Sequence, residues 1–470
     1  MATMTDRFAR PVAGTFLAYL AGLAANLVVS ILVARTMGPA GAGVIALALA
    51  GANILALLGN LGLPNAISHF LRKEPISARG TVGAALPIAL SAGALLMVLY
   101  MRLCPQLQGW LRAAAASHAA GTGVAALTPS LMMLAAWIVP LEIILQCAMA
   151  GFHGRQEFGL RVSVLLAYRW LYAVLAVVLV LAVGATPKTI IAAGIAAYVL
   201  TCAAGTGVLF RRLGPAPEPS YRWPDSRRLL GFAVRTHVSA VLVFVILRLD
   251  LFFVRALLGD DAQVGLYSRA VQVAEVVLYF MLALETVVYP RMSGLAAPEV
   301  PRAAAVMCRR GLLAGAALVV VFELASRWLI LIPFGREFAG SIAPLRILLP
   351  GVLAIGLARA LFSVFNALER PLVPAVIAAA GLALIVALDL VWIPRYGIEG
   401  AALASLVAYG LMAAAALVWF TRSRGGRLVD FLLPRREDLT SLRSARSLAG
   451  HGCFDSSTEW GPRHKENRGT

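Results

Sequence analysis

Runs of about twenty apolar residues separated by short polar stretches dominate the chain. Twelve of them lie at 12–34, 41–63, 82–101, 124–150, 162–183, 189–210, 229–254, 263–289, 311–333, 342–366, 372–393 and 398–421. Each is long enough to cross a hydrocarbon core as a helix. Ala, Gly and Leu recur within the runs without period-two alternation, so the pattern predicts helices and argues against a β-barrel. No gap between runs exceeds 22 residues, which leaves no room for an inserted soluble domain. The first run is longer than a signal-peptide core and is expected to be an uncleaved anchor.

Composition sharpens this picture. The 470 residues are 60% apolar and 14% charged, with mean hydropathy +0.83; both fractions lie far from those of soluble domains. Five scattered cysteines build no disulfide scaffold. The net charge of +18 would suggest nucleic acid in a soluble protein, but here the partner is membrane lipid and no nucleic acid is expected. Its distribution reports orientation. With residues 1–11 cytoplasmic, 17 Lys and Arg fall in the inner segments up to Arg370 and seven in the outer ones. The tail adds ten more inside, so both termini are expected on the cytoplasmic side. Residues 422–470 form an Arg-, Ser- and Gly-rich end expected to be solvated and disordered.

The two halves share landmarks in the same order. LVARTMGPAGAG (32–43) parallels FFVRALLGDDAQVG (252–265), and LGLPNAIS (61–68) parallels TVVYPRMS (286–293). GRQEFG (154–159) and LERPLV (368–373) open the fifth and eleventh spans; Tyr198 and Tyr409 sit in the sixth and twelfth. These matches predict parallel six-span repeats, with a first lobe at 12–210, a linker at 211–228 and a second lobe at 229–421. Such repeats are typical of transporters that bind cargo between their halves.

A charge at mid-bilayer costs at least about 2.5–3.5 kcal/mol on insertion scales, so charges inside the spans mark candidate sites. Ser268/Arg269, Gln272, Glu275, Tyr279 and Thr286 line one face of the eighth span. That stripe predicts either an interhelical polar seam or a hydrated substrate cavity. Arg235 and Arg248 in the seventh span, Arg169 in the fifth and Arg359 in the tenth add positive charge. Guanidinium groups bind phosphate and pyrophosphate bidentately, so these residues are candidates for an anionic headgroup. Asp250 and Asp389 fall near the outer third of the seventh and eleventh spans. Converging, they would bind Na⁺ or exchange a proton; balancing nearby arginines is the plainer alternative. Glu323 and Arg327, four apart in the ninth span, are expected to pair with each other.

The chain lacks a Walker lysine motif, a GxSxG elbow and any His/Cys spacing suited to a metal, so neither an enzyme nor a bound cofactor is expected. LVARTMGPAGAG followed by NLGLPNAISHF resembles the start of the polysaccharide-biosynthesis flippases of the multidrug/oligosaccharidyl-lipid/polysaccharide exporter superfamily. RLDLFFVRALLGDDAQVGLYSRAVQVAE (248–275), FGREFAGSIAPLRILLPG (334–351) and WIPRYGIEGAALASLVAYG (392–410) are similar to later segments of the same family.

The resemblance implies an all-α bundle of two six-helix lobes working by alternating access. It also implies an undecaprenyl-pyrophosphate-linked oligosaccharide as cargo, for O-antigen, exopolysaccharide or capsule export, with a polysaccharide polymerase and export machinery as partners. Asp250 and Asp389 would couple Na⁺ or H⁺, and Arg235, Arg248 and Arg269 would hold the headgroup. The first span carries Arg35 only at its exit, a departure from the cationic first span of lipid II flippases. The alternatives are a cation-coupled small-molecule antiporter and a membrane polymerase or glycosyltransferase. An outer loop of only about six residues at 35–40 weighs against the last.

Overall fold

The computed structural model describes residues 6–73, 78–117, 128–214, 223–292, 299–368, 370–424 and 427–433. The described residues are helical, with no strand among them. The helices are α1 (Asp6–Gly59), α2 (Leu63–Lys73), α3 (Ala78–Ser117), α4 (Pro129–Ala136), α5 (Ile138–Gly154), α6 (Phe158–Val183) and α7 (Pro187–Leu213). The second half holds α8 (Trp223–Ile246), α9 (Leu249–Leu258), α10 (Asp261–Met292), α11 (Val300–Phe334), α12 (Ile342–Ala367), α13 (Leu372–Arg424) and the short α14 (Leu428–Leu432).

Nine candidate membrane-crossing segments stand out by length and hydropathy among the described residues, two of them of double length. The first double segment is α1. It reverses at Gly38, whose φ of 63° suits glycine, and Pro39 starts the returning helix. Ser30 before the turn and Gly43 after it both touch α10, so the two arms run side by side. The second is α13, reversed at Gly397 (φ 60°) so that Gly381 packs on Met412. The interrupted pair α8–α9 completes twelve crossings. The protein is thus a multi-pass membrane bundle of two six-helix lobes. The face carrying Gly38 and Gly397 is called the turn face below.

The lobes meet mainly where α1 packs on α10; α12 and α11 cover the other side of α10, and α13 packs on α12. Part of the expected solvated tail is folded. Arg427 and Asp430 cap α14, Phe431 is buried against Phe420, and Arg309 Nη1 donates to the Asp430 carbonyl at 2.5 Å. The rest of that tail, from 434, lies outside the described residues.

Candidate functional site

A polar stripe on a lipid-embedded helix must face protein or water, because lipid offers its groups no hydrogen bonds. In α10 the stripe faces protein. Arg269 Nη1 donates to Gln272 Oε1 at 2.6 Å, and Gln272 Nε2 donates to Ser30 Oγ of α1 at 2.7 Å. One turn on, Glu275 pairs with Arg248 Nη2 at 2.7 Å. Beyond it, Tyr279 bonds to Arg169 of α6 and feels the charges of Glu275 and Arg248. Arg169 reaches this point because Gly22 leaves α1 bare: a Cβ there would lie 2.5 Å from Arg169 Nη1. Two residues of the first lobe, Ser30 and Arg169, therefore dock on one stripe of the second. In this state of the protein the stripe is an interhelical seam.

The seam carries three guanidinium groups, Arg169, Arg248 and Arg269, against one carboxylate, Glu275. Arg169 Nη1 and Arg269 Nε are buried without a hydrogen-bond partner. The Arg269 guanidinium also lies 5.7 Å from the Phe334 ring centre, and that of Arg248 lies 6.0 Å from Phe244. Excess cationic donors with unfilled positions suit a polyanionic group. Arg359 lies partly buried on α12 and is also engaged. Arg235 is on α8, and its side chain lies outside the described residues, as does that of Thr286.

Arg248 owes its place to a break. The helix of the seventh span stops at Ile246 and restarts at Leu249, with Arg248 at φ −131° between them. Two residues on, Asp250 turns into the second lobe. Its Oδ2 accepts the Tyr267 hydroxyl at 2.5 Å, and its Oδ1 accepts the Leu251 backbone N–H at 2.9 Å. Asp389 comes from the first arm of α13 and is fully buried, both oxygens without a hydrogen-bond partner. It interacts electrostatically with Asp250, and Tyr267 and Tyr409 feel both carboxylates. Ser405, on the returning arm of α13, is also buried, its hydroxyl beside that of Tyr409. Asp250, Asp389, Ser405 and the two tyrosines thus form a small oxygen-rich cluster, which fits a monovalent cation or a proton. Among the described residues no group of three or more His, Cys, Asp or Glu is arranged for a metal ion.

At the turn face the lobes meet backbone to backbone. A Cβ on Gly43 would collide with the Asp261 carbonyl, and one on Gly265 with the Pro39 carbonyl. Each carbonyl lies four residues before the glycine of its own helix, so the crossing is reciprocal and relates the two repeats. Arg35 adds a clasp: Nε donates to the Pro333 carbonyl at 3.0 Å and Nη2 to the Ile332 carbonyl at 2.6 Å, both in the other lobe.

One expectation is overturned. Glu323 faces Arg346 of α12, while Arg327 is exposed, so the i,i+4 pair is replaced by a contact across helices. Arg346 Nε also donates to Ser326 Oγ at 2.8 Å. Arg255, in the last turn of α9, is buried in an ion pair with Asp261 at 2.6 Å. Ser30, Tyr267 and Tyr409 escaped sequence reasoning as site residues because a lone hydroxyl in an apolar run carries no signal of what it faces.

No curated protein sequence matches the chain. Among solved structures, the lipid II flippase MurJ in an inward closed conformation superposes with TM-score 0.68 at 14% identity, covering 94% of this chain and 93% of that one. The Vibrio cholerae MATE transporter VcmN in its bent form gives 0.65 at 18% identity, over 91% and 99%. A MOP-superfamily transporter from Pyrococcus furiosus gives 0.65 at 14%, over 90% and 96%. At such identities the likeness establishes the fold alone, that of the MOP-superfamily transporters. The family model described as polysaccharide biosynthesis protein matches residues 8–296, more than half of the chain, and the protein belongs to that family.

Proposed function

We propose that the protein flips an undecaprenyl-pyrophosphate-linked oligosaccharide from the cytoplasmic to the outer leaflet by alternating access, driven by Na⁺ or H⁺. The observation that carries this reading is the guanidinium excess on the α10 seam, Arg169, Arg248 and Arg269 against Glu275, at the contact between the lobes. When the lobes part, Ser30 and Arg169 withdraw from α10, and the freed donors meet a pyrophosphate in a low-dielectric groove. The polysaccharide-biosynthesis family and a fold shared with a lipid II flippase support a lipid-linked glycan as cargo. Both termini are then cytoplasmic in an inner membrane, and the turn face is the outer one.

A cation-coupled drug antiporter would share the fold, but three arginines in the seam disfavour an organic cation as cargo. The oxygen cluster around Asp250 and Asp389 serves the coupling ion. Its carboxylates bind Na⁺ or a proton, and the charge thus neutralised lets the second lobe change its packing.

The test is export in the native host. Arg248→Ala and Arg269→Ala are expected to stop polymer export per folded protein, with lipid-linked oligosaccharide accumulating on the cytoplasmic leaflet. Normal export in both variants rejects the headgroup role. Asp250→Asn and Asp389→Asn are expected to flatten the dependence of flipping on the ion gradient in vesicles; an unchanged dependence rejects the coupling role.

A further inference from the structure

One buried carboxyl takes no part in the site above. Glu142, partly buried, sits in the first third of α5, inside the first lobe. Its Oε1 accepts from Gln146 Nε2 at 3.0 Å, and its Oε2 is buried. Among the described residues no ion pair reaches it; its polar neighbours are Gln146 and the hydroxyl of Tyr198 on α7, and Arg169 acts with it on Tyr168. A carboxylate held in an apolar interior without a counter-charge is costly, and the neutral acid is much less so.

The surroundings are built rather than incidental. Gln146 Oε1 accepts from Asn60 Nδ2 at 2.7 Å, and Asn60 Oδ1 accepts the Gly62 backbone N–H at 2.8 Å. Because a backbone N–H can only donate, it fixes both amides, and every donor in the chain points towards Glu142. Such aligned bonds polarise one another, so a change of charge at the carboxyl alters the pull on Gly62. On its other side Tyr198 lies against Tyr168 of α6, ring centres 4.1 Å apart.

The far end of the chain is an interlobe contact. Leu61 and Gly62 form an elbow with φ of 49° and 77° between α1 and α2. A Cβ on Gly62 would collide with the Ala233 carbonyl of α8 and lie 2.9 Å from His237 Cβ. His237 Nε2 in turn lies 2.8 Å from the Leu57 carbonyl. The repeat adds an independent point: Tyr198 and Tyr409 occupy corresponding places, and each faces a buried carboxyl of its own lobe.

We infer that Glu142 is a proton-binding site in the first lobe, and that its protonation state sets the contact between the Asn60–Gly62 elbow and α8. The titratable groups facing it are Tyr198 and Tyr168, with Cys202 of α7 behind Tyr198. Arg169 of α6 acts on Tyr168 from its other side. The remaining charged and histidine residues of the helices packed on α5 lie towards helix, arm or span ends, at Arg35, His69, Arg72, Lys73, Arg79, Arg102, Arg112, Arg161, Lys188, Arg211 and Arg212 among others, and α4 has none. The consequence for transport rests on the function proposed above; the protonation itself does not.

The experiment is infrared difference spectroscopy of the full chain in lipid across a pH titration, with no substrate present. Wild-type protein should show a protonated-carboxyl C=O band that shifts on ¹³C-glutamate labelling. Glu142→Gln should lose it, and Asp250→Asn and Asp389→Asn should keep it. Absence of any glutamate-sensitive band at every pH overturns the site, and the isotope measurement stands even if Glu142→Gln fails to fold.

Coupling is read from the interlobe distance between spin labels at Phe158 and Arg302, both exposed. The distance should move with pH in wild type. It should stay fixed in Glu142→Gln and in Gln146→Leu, which severs the chain while sparing the acid. A Gln146→Leu protein that tracks pH like wild type overturns the coupling. Because no cargo is involved, these outcomes are separate from failure of the export test.

Discussion

The two ends of the α1–α10 contact hold the lobes together by opposite means. At the turn face, Gly43 and Gly265 bring backbone against backbone, with no side chain between. Deeper in the membrane, Ser30, Gln272 and Arg269 join the same helices by hydrogen bonds, and Arg169 reaches in from α6. The glycine crossing gains from close packing and weak Cα–H···O contacts, and it tolerates no added volume. The polar seam gains from bonds that a ligand can replace one for one. Within a single helix pair, one end therefore acts as a fulcrum whose geometry is sterically set, and the other as a surface that can exchange partners.

The most severe way to break this contrast is at the crossing. In Gly265→Val the new Cβ meets the Pro39 carbonyl, a backbone atom that cannot swing aside. Overpacking of this kind costs about 3 kcal/mol at the upper end of its usual range. The expected outcome is a strongly lowered melting temperature in detergent, with little folded protein recovered. A variant that melts like wild type would show that the helices separate there without cost.

A smaller loss is expected from the seam. Arg248→Ala leaves Glu275 without its cation in a largely buried position. Removing one partner of a buried pair costs about 3–5 kcal/mol, and partial exposure of both groups here brings that towards about 2 kcal/mol. The double variant Arg248→Ala/Glu275→Gln should recover most of the stability, measured by the same melt. If it recovers none, Arg248 acts through packing on Phe244 and not through charge.

The same contrast explains what was legible beforehand. The crossing glycines were visible as the last residues of the two matching segments, because a shared landmark at the same point of each repeat stands out even in an Ala- and Gly-rich chain. The α10 stripe was visible from its helical spacing. Whether it faced protein or water was not, since Ser30 and Arg169 dock on it from 242 and about a hundred residues away. The break at Leu247–Arg248 was hidden for another reason: VILRLDL contains no Gly or Pro, so tertiary packing, not local propensity, interrupts the helix. The orphaned state of Asp389 likewise depends on the reversal at Gly397 and on α9, which no local pattern reports.

Arg35 gives the finest probe of the fulcrum. Its guanidinium caps the end of α11, where carbonyls have no intrahelical partner and the dipole favours a cation. The site is exposed, so water replaces much of what Arg35→Ala removes, and the expected cost is about 1 kcal/mol. Because the clasp joins the two lobes, that cost falls on the state in which the turn face is shut. The balance between shut and open forms should therefore move about fivefold towards open. Spin labels at Lys188 and Arg395, exposed on the turn face in opposite lobes, would read this as a longer-distance population. Arg35→Lys should restore only part of the shift, since one ammonium cannot reproduce the two-pronged contact with Ile332 and Pro333. If Arg35→Ala leaves the distances unchanged, the glycine crossing alone holds the turn face closed.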